Sequence, residues 1–179
     1  MKIKTIILSV LTLSSLSFGM SAEEIIQKVD TRDDGDNIIA NLSMVLVDKS
    51  NKQRIRTLKR FTKDFGVDTY QSIFFLAPSD VKNTAFLTFD YDDDNKDDDQ
   101  WLYLPALKKT KRIASTDKSG SFVGSDFFYS DLTKPDLSDY NYKLIKEQKV
   151  DNFKTWIIER IPKTDAVINE TGYKNHIFL

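Results

Sequence analysis

From Asn37 onward the chain is written mostly in period two. Ile38, Ala40, Leu42, Met44 and Leu46 alternate with Asn41 and Ser43, which predicts a half-buried strand over 37–48. Lys49-Ser50-Asn51-Lys52 reads as a hairpin turn, and a second strand follows over 53–63. Residues 64–68 turn the chain. Strands are expected next over 69–77 (Tyr70, Ile73, Phe74, Phe75), 84–91, 101–104 and 108–114. Pro78 closes the first of these, and Pro78-Ser79-Asp80 fits a short helical turn. Residues 122–132 show no period and read as irregular or as a helical turn. Two more strands are expected over 142–148 and 154–161, joined by Val150-Asp151-Asn152-Phe153. Pro162 breaks the second, and a last strand begins near Tyr173. The one helical pattern lies at 21–30, where Ile25, Ile26 and Val29 form a stripe and Ser21 with Glu24 makes a capping box. It is expected to pack against the sheet; a lid over a cavity is the other reading. Nine short strands with turns between them indicate a mainly β, antiparallel architecture, and periodicity alone leaves sandwich and barrel both open.

Ahead of this pattern, Lys2 and Lys4 precede an apolar run from Ile6 to Leu16, followed by small residues at Ser17, Gly19, Ser21 and Ala22. This describes a secretory signal peptide over 1–22, too short for a membrane span. Loss of Lys2 and Lys4 from the 26 Lys+Arg leaves 24 against 27 Asp+Glu, so the mature charge is near −3. That disfavours nucleic acid as a partner. With no Cys there is no disulfide, thiolate metal site or Cys nucleophile. Residues 23–179 suit one domain, placed in the periplasm if the host has two membranes.

Candidate chemistry is sparse. The acidic run Asp90-Tyr91-Asp92-Asp93-Asp94-Asn95-Lys96-Asp97-Asp98-Asp99 lacks the Gly and Glu of a calcium loop, since Asn95 and Trp101 hold those positions. It reads as a solvated hairpin tip. Ser119-Gly120-Ser121-Phe122-Val123-Gly124 is neither a P-loop nor a nucleophile elbow. His176 is the only histidine and supports neither a zinc site nor a triad. No catalytic residue, metal or cofactor is expected, and the chain is not read as an enzyme. Arg54, Arg56 and Arg60 share one strand face; a wet outer face is the ordinary reading, a row binding lipid head groups the other. The aromatics Phe74, Phe75, Phe86, Phe89, Trp101, Tyr103 and Trp156 make either ordinary core or the wall of an apolar cavity. Trp101-Leu102-Tyr103-Leu104 is apolar on both sheet faces, so both faces need a covering.

One family resemblance runs through the middle of the chain. Thr84-Ala85-Phe86-Leu87, Asp97-Asp98-Asp99-Gln100-Trp101-Leu102-Tyr103-Leu104-Pro105-Ala106-Leu107, Ser119-Gly120-Ser121-Phe122 and Gly124-Ser125-Asp126-Phe127 resemble the outer membrane lipoprotein-sorting proteins, the LolA-like periplasmic carriers paired with RND-type exporters. The resemblance implies a curved, unclosed antiparallel half-barrel with a few short helices covering its concave face. The family continues for several further strands, so it also implies a domain over 23–179 that is incomplete at its C-terminal end. It implies a carrier for lipid or lipoprotein acyl chains, working without covalent chemistry: chains enter the apolar concavity, a helix or loop shifts, and the load passes on. The expected partners are those acyl chains, an RND-type inner-membrane transporter and, transiently, a membrane. The expected lipid-binding residues are Phe74, Phe86, Phe89, Trp101, Leu102, Tyr103, Leu104 and Trp156, without a choice of sheet face. The alternatives are an accessory protein of an RND-type exporter that binds no lipid and, third, a secreted hydrolase.

Overall fold

The computed structural model describes residues 19–93 and 95–178. The apolar run of the expected leader lies outside them. Among the described residues nine antiparallel strands form two sheets. The first is a six-stranded meander of β1 (Asn37–Val47), β2 (Gln53–Phe65), β3 (Asp68–Ala77), β4 (Ala85–Asp90), β5 (Asp99–Leu104) and β6 (Lys109–Ile113), each strand paired with the next. The second holds β7 (Tyr140–Val150), β8 (Phe153–Pro162) and β9 (His176–Phe178). Neither closes on itself, so the architecture is mainly β and an unclosed half-barrel, as expected. Every expected strand is present; β5 begins two residues early, and β9 is shorter than the 173–179 run.

Helix α1 (Ala22–Asp30) starts on the predicted capping box. Ser21 Oγ accepts from Glu24 N at 3.1 Å, and Glu24 Oε2 accepts from Ser21 N at 2.8 Å. Its Ala22, Ile25 and Ile26 are buried with Ile158 of β8, and Leu137, Tyr142, Leu144 and Trp156 pack around them. The helix therefore packs against a sheet, which was the first of its two readings. A second helix, α2 (Asp165–Thr171), was not expected. Thr164 Oγ1 accepts from Val167 N at 3.3 Å at its start, and Gly172 ends it at φ +81.

The segment 115–132 is a chain of single 3-10 turns laid across one face of the six-stranded sheet. Its Phe122, 1% exposed, drops into a core made by Leu58, Ile73, Phe75, Phe86, Leu102 and Ile113, with Tyr129 and Leu132 at the margin. We call this segment the cap and the face beneath it the inner face. Alternation puts Arg56 on that face, and the structure corrects the expectation of a wet arginine row. Arg56 is 7% exposed, donates from Nη1 to the Val123 carbonyl at 2.8 Å and lies over the Phe75 ring at 6.0 Å. Burying a cation is costly unless it finds partners; the cap carbonyl and the ring are two of them. Arg60 is half-buried on the same face, and Arg54 is exposed.

Candidate functional site: an open apolar groove on the outer sheet face

The residues between the inner-face positions point the other way. Register places Phe74 opposite Ala85, Leu87 opposite Trp101 and Ala85 opposite Tyr103. Together with Phe89 they line an open groove of about 450 Å³, floored by Ser72 and Ala85 and edged by Thr110 of β6. Four rings run diagonally across four strands beside it. Phe65 and Tyr70 lie 4.8 Å apart, Tyr70 stacks on Phe89 at 4.3 Å, and Phe89 meets Trp101 edge-on at 5.1 Å. Phe61 meets Phe74 edge-on at 5.9 Å. Such cross-strand pairs stabilise a sheet by themselves, but they do not require exposure. Here Phe74 is 41% and Tyr103 36% exposed, and Ile39, Val45, Val47, Ile55, Phe61 and Phe65 on the same face are exposed too. Soluble monomers rarely show so continuous an apolar face. Lys59, opposite Phe74, and Lys63, opposite Tyr70, stand along its β2 side, each over an aromatic ring at 5.2 Å.

Five of the eight expected lipid-binding residues line the groove: Phe74, Phe89, Trp101 and Tyr103, with Phe86 contributing at its base although its side chain is buried. Phe86 and Leu102 belong to the buried inner-face cluster, and Leu104 packs at its edge. Trp156 sits on the second sheet against the α1 cluster and donates its ring N–H to Glu147 at 3.0 Å. Leu87 was missed although it lies two residues before Phe89 on a strand, a spacing that puts both on one face. Phe61, Phe65 and Tyr70 were missed because their face was not known.

A second concavity of about 950 Å³ opens between the two sheets, among α1, the acidic loop, the 130–142 segment and α2. Its walls are charged. The acidic run, expected to be a solvated tip, is only partly so. Asp92, Asp93 and Asp97 are exposed, but Asp98 accepts from Tyr91 N at 3.1 Å and lies 3.6 Å from Lys118 Nζ. Lys118 is 6% exposed and also reaches Glu170 at 3.1 Å, which ties the cap to α2. Asp99 pairs with Arg112. Asp90 accepts from Lys134 N at 2.8 Å, yet burial still pushes its carboxyl up to about 6. Burial raises Asp98 as well. The turn pattern was right about the loop, but no run of like residues says which of them fold inward. Among the described residues no group of three or more His, Asp or Glu is arranged to hold a metal ion. The lining of this cleft is mostly polar and charged, whereas that of the outer groove is mostly apolar.

These features define a class: an unclosed antiparallel half-barrel with its inner side capped and an apolar groove outside. Comparison with known proteins says which. A family model described only as "-like: Uncharacterized protein" matches residues 67–178. A solved domain from Vibrio parahaemolyticus, described as an outer membrane lipoprotein-sorting protein, is 34% identical with a TM-score of 0.72; the match covers 87% of this chain and 64% of that one. A DUF1329 family protein from Desulfovibrio piger is 31% identical with a TM-score of 0.74, covering 87% and 65%. A LolA superfamily protein from Nitrosomonas europaea, 16% identical with a TM-score of 0.55 over 88% and 64%, shares the fold. No curated protein matches. The chain belongs to the family whose model it matches, is similar to the outer membrane lipoprotein-sorting and DUF1329 domains, and has a LolA-like fold. It spans just under two thirds of the length of these solved relatives.

Proposed function

We propose that the protein is a periplasmic carrier that shields lipid or lipoprotein acyl chains, for outer membrane lipoprotein sorting or envelope lipid transport. The observation that carries this is the outer groove: an aromatic, open, apolar trough on a sheet whose other face is already filled by its own cap. Each methylene kept out of water by such a surface is worth about 0.8 kcal/mol, so a trough without catalytic groups can hold a chain in transit between two apolar sites. Lys59 and Lys63 beside it favour an anionic head group. Binding is non-covalent, and release follows when a partner offers a deeper apolar site. The leader is removed after Gly19, because removal after Ala22 would discard both the Ser21 cap and a buried helix residue.

Native mass spectrometry of the mature chain tests this. Lipid adducts that disappear in Trp101→Glu while the fold is kept support the carrier. A clean apo mass in the wild type, from protein that had access to membranes, overturns it and favours the second reading: an accessory of an RND-type exporter that holds no lipid.

A further inference from the structure

A row of unpaired backbone N–H and C=O groups at a sheet edge is a template for pairing, and proteins blunt it with charges, bulges or shortness. The two sheets present four edge strands among the described residues. β9 has three residues. β6 has five, among them Lys109, Lys111 and Arg112. β7 carries four charged side chains from Lys143 onward and a register shift between Leu144 and Lys146. β1 has none of these devices. Its eleven residues, NIIANLSMVLV, contain no charge, proline or glycine, and its pairing with β2 is unbroken from Asn37 to Val47.

The sequence of β1 is also complementary to itself. We propose that two copies of this chain pair their β1 strands antiparallel about a twofold axis at Leu42, joining two six-stranded sheets into one. In that register Leu42 meets the Leu42 of the other copy. Ala40 meets Met44 and Ile38 meets Leu46 on the inner face. On the outer face Ile39 meets Val45, and Asn41 meets Ser43. Every pair off the axis recurs twice, as an isologous contact requires. Eleven ladder positions supply about ten backbone hydrogen bonds. Ile39, 69% exposed, and Val45, 49% exposed, cover part of each other's apolar surface. Beyond the strand ends, the acidic connector with Asp33 and Asp34 runs beside the other copy's turn with Lys49 and Lys52. Two like-charge meetings arise, Asp36 with Asp48 and Arg32 with Lys52; Asp48 already accepts from the N–H groups of Ser50 and Lys52 at 2.8 and 3.0 Å. The dimer makes the two outer apolar faces continuous, but it does not depend on what binds there.

Sedimentation of the mature chain, with cysteine cross-linking, tests the axis. The native sequence has no Cys, so each introduced thiol reports alone. Antiparallel neighbours sit about 4.5–5.5 Å apart at Cα, inside the range a disulfide spans. The wild type is expected to sediment as a dimer. Leu42→Cys is expected to cross-link to itself under mild oxidation. Ile39→Cys alone is not, whereas Ile39→Cys combined with Val45→Cys is. Leu42→Lys is expected to be a folded monomer with unchanged circular dichroism and an unchanged response to a fatty-acid probe. A wild type that stays monomeric at every concentration overturns the proposal. So does a dimer that Leu42→Lys leaves intact or that cross-links through Ile39→Cys alone, since the interface then lies elsewhere or in another register.

Discussion

The two faces of the six-stranded sheet are built from the same strands and nearly the same residue types, yet they end in opposite states. On the inner face, Phe75, Phe86 and Phe122 are each 1% exposed, and even an arginine is held under cover. On the outer face the aromatics touch one another across strands but keep much of their surface in water. The difference does not lie in the strands. It comes from the cap, whose Phe122 fills one face and leaves the other to something outside the described chain. An apolar face that the described residues leave uncovered is the property the proposed carrier needs.

The sharpest way to break this comparison is a charge on each side. Leu102→Glu buries an unpaired carboxylate in the inner core and is expected to destabilise by about 4 kcal/mol or more. Trp101→Glu, one residue earlier and on the opposite face, is expected to keep the fold and weaken lipid binding at least tenfold, about 1.4 kcal/mol. Thermal melts with a fluorescent fatty-acid titration read both. Equal melting losses would mean that the outer face is buried too. Phe122→Ala removes the cap's plug and is expected to cost about 3–5 kcal/mol without improving binding. A tighter-binding Phe122→Ala protein would move the cargo site to the inner face.

A smaller effect tests the charged end of the inner face. The Asp90 carboxyl is raised to about 6 by burial, from an ordinary value of 3.8. The folded state therefore holds this proton where the unfolded state releases it. The associated stability is complete below about pH 4 and is lost as pH rises through 6. Asp90→Asn keeps an acceptor for Lys134 N and is expected to stabilise the protein at pH 7 by on the order of 2 kcal/mol, with the gain vanishing near pH 4. A pH-independent difference between the two melting curves would contradict this. Smaller again, Ser21→Ala breaks the capping box of α1 and is expected to cost about 1 kcal/mol. A mature protein that begins after Ala22 would show no such effect.

What was legible in the sequence follows the same division. Alternation, β-branched and aromatic content and turn residues together located the nine strands, and Ser21 with Glu24 located α1, because these signals are local. Alternation also showed that Arg54, Arg56 and Arg60 share a face, and that Trp101 and Leu102 point oppositely. It could not say which face is covered, because that is decided by the cap, and residues 115–132 carry no period to read. Arg56 was therefore placed in water, and the eight expected lipid-binding residues were drawn from both faces. Helix α2 escaped because Asp-Ala-Val-Ile-Asn-Glu-Thr is too short to show a stripe, although Thr164 and Gly172 mark its two ends.

The central claim is that cargo chains lie on the outer face at Trp101. The protein has two tryptophans, one at the groove and one on the second sheet. In a Trp156→Phe variant only Trp101 emits, and in a Trp101→Phe variant only Trp156 does. Titration with a brominated fatty acid, which quenches on contact, is predicted to extinguish the Trp101 signal saturably and to leave Trp156 bright. Quenching of Trp156 alone, or of neither at concentrations where the chain binds lipid, would contradict the account.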